Sequence, residues 1–187
     1  MTHLSKRALF ALAALFCLAA AGAHAGQARN AIPSRVKKAE KGDWVLVKFE
    51  DRLMLETITN TEELEEDDLM VTYTMQDISF EGKAEKPQNV VRLLSDETME
   101  NMDLQSTPGA KVDKKRGRVD GKNLNIVAVI VPEEGDTMIE YWYSDDVGID
   151  GKVAMIVKIP EMDAYKAMEV IGFGDAKSPF NMKKYIK

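Results

Sequence analysis

Again and again between residues 45 and 159 the apolar residues fall on every second position, and that period admits one kind of backbone. Val45, Val47 and Phe49 alternate in GDWVLVKFE, and Leu69, Val71, Tyr73 and Met75 alternate in DLMVTYTMQ. In TMIEYWYS, Ile139, Tyr141 and Tyr143 oppose Met138 and Trp142. Successive side chains of an extended chain point to opposite faces, so a period of two lays one apolar row along one side of a sheet. The segment from Leu124 to Val131 is apolar on both faces toward its end, as expected of a central strand, and Pro132 stops it. Turn chemistry separates these runs: Pro-Glu-Glu-Gly-Asp at 132–136, and Asp150-Gly151 ahead of a strand in which Val153, Met155, Val157 and Ile159 share a face. The pattern predicts a mainly β domain built on a single antiparallel sheet.

Helix signals are few. Ser34 can cap a short helix through Ala39, and Ser95 or Asp96 can cap one running to about Leu104, with Met99 and Met102 on one side. Residues 106–121 are polar and interrupted by Pro108, Gly109 and Gly117, which reads as a long loop or a weak edge hairpin.

The N-terminus carries an address. Lys6 and Arg7 form a positive start, residues 8–21 are apolar, and Ala23-His24-Ala25 offers a small-x-small cleavage site before Gly26. About 14 apolar residues fall short of the roughly 20 a helix needs to cross a bilayer, so a cleaved signal peptide over 1–25 is expected rather than an anchor. Cys17 follows the bulky Phe16, where lipoprotein processing requires a small residue. The reading is therefore a soluble periplasmic or secreted protein whose residues 26–187 form one antiparallel β domain, with no transmembrane segment after cleavage.

Cleavage would also remove the chain's one cysteine, Cys17, and both histidines, His3 and His24. What remains can build no Ser-His-Asp or Cys-His nucleophile and no zinc site of the usual nitrogen and sulfur kind. It can form no disulfide, so apolar burial and strand pairing must hold it together. The net charge of −6 becomes more negative still without Lys6 and Arg7, which argues against a nucleic-acid partner. No enzymatic activity, metal or cofactor is expected.

Three clusters carry a functional reading beside a structural one. Glu62, Glu63, Glu65, Glu66, Asp67 and Asp68 surround Leu64, and Asp145, Asp146 and Asp150 flank a bend, but neither set keeps the spacing of a calcium loop, and solvated connections explain both. The 11 methionines include Met99 and Met102 at the spacing of a two-thioether copper site. Met75, Met138, Met155 and Met168 instead take strand positions where core filling is the simpler role. Lys111, Lys114, Lys115, Arg116 and Arg118 can meet anionic headgroups or an acidic partner, or protect a sheet edge from pairing.

Scattered motifs also carry a resemblance. Gly42-Asp43-Trp44-Val45, Gly121-Lys122-x-Leu124, Trp142-x-Ser144-x-x-Val147-x-x-x-Gly151-x-Val153 and Gly172-Phe173-Gly174 resemble the pattern of a group of exported, uncharacterised bacterial β-proteins. Gly148 stands where that pattern has proline, and Ala154 where it often has lysine. More broadly the chain is similar to LolA-like half-barrels, which implies a single curved antiparallel sheet, half-barrel-like, with one or two short helices, able to shelter lipids. The resemblance implies an exported, non-enzymatic protein that binds or carries an apolar or lipid-like ligand. Val71, Tyr73, Ile139, Tyr141, Trp142, Val153 and Met155 are the expected lining. The alternative is a structural or protein-interaction module of the cell envelope with a filled core and an envelope protein as partner. Trp142, between two tyrosines and just before the 144–151 bend, is expected to be mainly a structural anchor.

Overall fold

Residues directly opposite each other across an antiparallel ladder share a face, so the register assigns each strand residue to one side of the sheet. The computed structural model describes residues 39–64, 69–94 and 107–186. Among these residues nine strands form: β1 (Trp44–Phe49), β2 (Leu53–Glu63), β3 (Leu69–Ile78), β4 (Gln88–Leu94), β5 (Lys111–Val119), β6 (Lys122–Pro132), β7 (Met138–Tyr143), β8 (Lys152–Lys158) and β9 (Tyr165–Gly174). They make one curved, unclosed antiparallel sheet in the order β4-β3-β2-β1-β9-β8-β7-β6-β5. Helix among the described residues is limited to short 3-10 turns at Glu134–Asp136 and Met182–Lys184. Both expected α-helices fall outside the described residues, apart from Ala39.

The topology is two meanders, β1 to β4 and β5 to β9, joined where β1 pairs with β9. β4 and β5 follow each other in the chain yet form the two opposite edges. Because β1 lies near the middle, it is buried on both sides: Val45, Val47 and Phe49 face one way, Trp44 and Leu46 the other. The larger cluster gathers Val45, Val47, Ile58, Val71, Tyr73, Val153 and Val170, with Val147 and Ile149 from the β7–β8 loop. Strands as far apart as β3 and β8 contribute to it, so it marks the hollow side of the curve.

The opposite face of β1 and β2 is roofed by the end of the chain. Trp44, Leu46, Leu53, Leu55 and Ile78 pack against Phe180, Tyr185 and Ile186. The Trp44 indole N–H donates to the Ser178 carbonyl at 2.7 Å, and its ring meets Phe180 edge-on at 5.3 Å. Gly172 on β9 leaves room for this roof, since a Cβ there would collide with the Tyr185 hydroxyl. The Tyr185 hydroxyl in turn donates to Asp120 Oδ2 at 2.8 Å, tying the roof to the β5–β6 turn.

Of the two readings of residues 106–121, a long loop or a weak edge hairpin, the described residues 107–121 take the edge hairpin. Lys111–Val119 is an edge strand, because Asp120 (φ 50°) and Gly121 (φ 80°) form the left-handed pair that a two-residue hairpin turn requires. Its run of lysines and arginines lies on that edge, where charge opposes pairing with another chain. β6 is flanked by β5 and β7 rather than standing at the centre of the sheet. It is apolar on both faces because Leu124 and Ile126 join the larger cluster while Val129 and Val131 pack with Tyr143 in a smaller one.

Candidate functional site

The bend after Trp142 is an eight-residue connection that folds onto the hollow face. The Ser144 N–H donates to the Gly151 carbonyl at 2.8 Å and closes the base of the loop, and the Ser144 hydroxyl oxygen accepts from the Asp146 N–H at 3.4 Å. Between these ties Val147 and Ile149 drive inward, with exposures of 0% and 2%. Gly148 passes close over Val45; a Cβ there would reach its methyl at 3.4 Å. Ile149 has φ 64°, a left-handed conformation that costs a β-branched residue real strain. Burying two aliphatic side chains, at about 1.5–3 kcal/mol each, is what holds the loop in this shape.

Charged groups from three strands meet the same loop. Asp150 accepts the Lys152 N–H at 3.0 Å through Oδ1, while its Oδ2 lies 3.6 Å from Arg92 Nη1 on β4 and 3.9 Å from Lys152 Nζ. Glu56 of β2 is half-buried beside them. Burial, reinforced by the Asp150 carboxylate, pushes its carboxyl up to about 7, against the opposing pull of Arg92 and Lys152. Burial and the Glu56 charge also raise the neighbouring Tyr73 hydroxyl.

A second charged cluster centres on Glu140 of β7, which is 1% exposed. Its Oε1 accepts from Lys115 Nζ and from the Trp142 indole N–H at 2.7 Å, and its Oε2 from Lys158 Nζ at 2.7 Å. Burial alone would raise this carboxyl, but the three hydrogen bonds outweigh it and hold it at about 2. The Lys115 ammonium also sits 5.3 Å from the Trp142 ring centre, a cation–π contact.

The expected lining residues divide. Val71, Tyr73 and Val153 are buried in the larger cluster, and Met155 and Trp142 pack against it. Tyr141 instead joins Val129, Val131, Tyr143 and Ala110, and Ile139 belongs to neither group. Trp142 lies within β7, opposite Ala128 and Ala154. The polar residues Glu56, Arg92 and Glu140 were not anticipated. The one available signal was Glu140 itself, a lone carboxylate within the apolar strand MIEYWY. Met99, Met102 and the acidic residues 65–68 lie outside the described residues. Among the described residues no group of three or more His, Cys, Asp or Glu could hold a metal ion, and no helix is long and apolar enough to cross a membrane. A hollow of about 50 Å³ lined by Met75, Asp77, Glu85, Lys86 and Gln88 is far below the roughly 300 Å³ of a small-molecule site.

The fold is thus that of a mainly β protein with one open antiparallel sheet and a loop folded onto its hollow face. No protein-family model matches the chain, and no curated protein matches it significantly. Among solved structures it is similar to MucB in complex with MucA(peri), with a TM-score of 0.48, 12% identity, and coverage of 82% of this chain and 56% of that one. It is similar also to MucB alone, at a TM-score of 0.47 and 9% identity over 84% of this chain and 60% of that one. The hypothetical protein CT021 from Chlamydia trachomatis gives a TM-score of 0.44 and 8% identity, covering 77% of this chain and 92% of that one. The chain spans little more than half the length of the MucB structure.

Proposed function

We propose that this chain is an exported, non-enzymatic protein-interaction module of the cell envelope, with a core filled by its own side chains. The supporting observation is the burial of Val147 and Ile149 on the hollow face, where an apolar ligand would otherwise lie against Val71, Tyr73 and Val153. The two edges favour the same reading by their contrast. β5 carries five basic residues, whereas on β4 the single cation, Arg92, is drawn to Asp150 and Val91 and Leu93 stand 61% and 43% exposed. An edge without charge protection suits addition of an extended, alternately apolar segment of a partner.

Two measurements test this. Native mass spectrometry of protein purified from the envelope should give the mass of the polypeptide alone; a stoichiometric lipid would restore the carrier reading. A photo-crosslinking residue at position 91 should yield a discrete protein adduct in cells, and one at position 112 on the basic edge should not. Equal labelling from both edges, or none from position 91, would overturn the module reading.

A further inference from the structure

We propose that one face of the β5 edge, presenting Val112, Lys114, Arg116 and Arg118, docks the protein on an anionic phospholipid membrane surface. The register sorts the charges of this strand. Lys111, Asp113 and Lys115 stand opposite Ile130, Ala128 and Ile126 of β6 on one face, while Val112, Lys114, Arg116 and Arg118 stand opposite Val129, Val127, Asn125 and Asn123 on the other. On the first face the charge is compensated, since Lys111 shares it with Asp113 and Lys115 is bound to Glu140. On the second, three cations follow one another with no carboxylate between them. All three are exposed, their β6 neighbours Asn123 and Asn125 are exposed and uncharged, and among the described residues none of the three forms an ion pair. Arg118 Nε donates to the Gly121 carbonyl at 3.1 Å, which leaves its charge uncompensated. The acid of the adjoining turn, Asp120, is already engaged by Lys184 and by the Tyr185 hydroxyl.

Keeping a neighbouring strand off the edge requires charge there, but not its collection on one face beside an exposed apolar residue. Val112 heads the same row and is 43% exposed. From Val112 to Arg118 the row runs for about 20 Å along the rim of the sheet, at roughly 3.3 Å per residue. An added acidic strand would lie alongside β5 in the plane of the sheet and would meet the charges of both faces, Asp113 included. A flat anionic surface meets the row alone, with headgroups against the cations and Val112 at the interface. Charge complementarity therefore selects the membrane. In a chain of net charge −6, the row also decides which side of the molecule turns toward a surface that repels the rest. Each cation held near such a surface strengthens binding about fivefold, so three give roughly a hundredfold at low salt, a reversible attachment. The opposite edge, β4, takes no part, and docking through β5 neither needs nor excludes a partner there.

Flotation of the purified protein with lipid vesicles tests this. Vesicles of phosphatidylcholine with about 30% phosphatidylglycerol should retain it at roughly 50 mM salt, pure phosphatidylcholine should not, and binding should fall about tenfold or more by roughly 300 mM salt. Lys114→Gln, Arg116→Gln and Arg118→Gln together should lower the partition coefficient about fiftyfold, with the melting temperature unchanged. Lys41→Gln, Lys83→Gln and Lys177→Gln, at three exposed lysines elsewhere, remove the same charge and should lower it less than about threefold. A fluorophore on Val112→Cys should be quenched by spin-labelled phosphatidylglycerol and one on Val91→Cys should not, an arm that keeps every cation in place. Soluble polyglutamate at matched charge should leave the protein on the vesicles. Equal binding to neutral vesicles, equal losses in the two triple variants, or quenching at position 91 as strong as at 112 would each overturn the docking. Displacement by polyglutamate would overturn it too, assigning the row to an acidic polypeptide instead.

Discussion

Glu140→Gln removes one charge and almost no volume, and the geometry around Glu140 sets how much that charge is worth. A carboxyl held at about 2 instead of 4.5 means that the folded chain prefers the ionised form by about 3 kcal/mol, at 1.36 kcal/mol per pK unit. Glutamine imitates the protonated acid, so no cavity term enters, and the Trp142 indole keeps an acceptor. The remaining loss falls on the lysines. The Lys115 side chain is 29% exposed and that of Lys158 46%, so both can recover water and blunt the penalty. The expected cost at neutral pH is about 2–3 kcal/mol, a substantial part of a typical 5–15 kcal/mol. It should appear as a fall in melting temperature of roughly 5–10 °C.

Urea unfolding followed by tryptophan fluorescence measures that cost, and pH supplies the control. A folded pKa below the unfolded one contributes stability that is present above about 4.5 and lost as pH falls toward about 2. The gap between wild type and variant should therefore close across that acid window. A variant within 0.5 kcal/mol of wild type at neutral pH, a more stable variant, or a gap that acid leaves untouched would refute the reasoning, since buried ion pairs do not always stabilise.

Five further outcomes can be measured. Glu56, raised to about 7, contributes stability that is full below about 4.5 and lost as pH rises through about 7, so with Glu140 it should place the maximum of a stability–pH curve near pH 5; a maximum at pH 8 would contradict the role of Glu56. Gly172→Ala should cost about 1–3 kcal/mol by forcing Tyr185 off the sheet, and calorimetry showing no loss would mean that the roof yields freely. Trp142→Ala should cost about 2–4 kcal/mol, combining lost burial, its hydrogen bond to Glu140 and its contact with Lys115; a melt within a degree or two of wild type would sink the anchor role. Intact mass of the exported protein should begin at Gly26, and treatment with a chelator should leave its melting temperature unchanged.

β3 announced itself because one face is dry: Leu69, Val71 and Tyr73 fall on every second residue, and all three are buried together. β2 was silent for a physical reason. Leu53 and Leu55 face the roof while Met54 and Ile58 face the hollow, and a register shift after Ile58 breaks the period. β4 is a short edge strand, with too few buried positions to show a pattern. For β5 the signal was present in Asp120-Gly121, the hairpin dipeptide, hidden behind a run of charges. The polar clusters lay beyond local reading, because Glu56 with Asp150, and Glu140 with Lys115 and Lys158, meet only once the sheet is assembled. Tyr141 and Trp142 were both expected at the hollow, but adjacent strand residues point to opposite faces, and only Trp142 packs against the larger cluster.

The seam between β1 and β9 bears on how the chain reaches this structure. Seven of the ladders join strands that follow directly in sequence, and each can zip from its own turn. The β1–β9 ladder must instead recruit partners from the two ends of the domain; Trp44 finds Ser178 at a separation of 134 residues. Closing so long a loop is costly in entropy until the contacts are made, so the two meanders should form early and the seam should be the slow step. Until then the apolar rows of β1 and β9 are bare edges in an otherwise structured chain, and this is the interval in which a chaperone, or a second copy of the chain, competes for them.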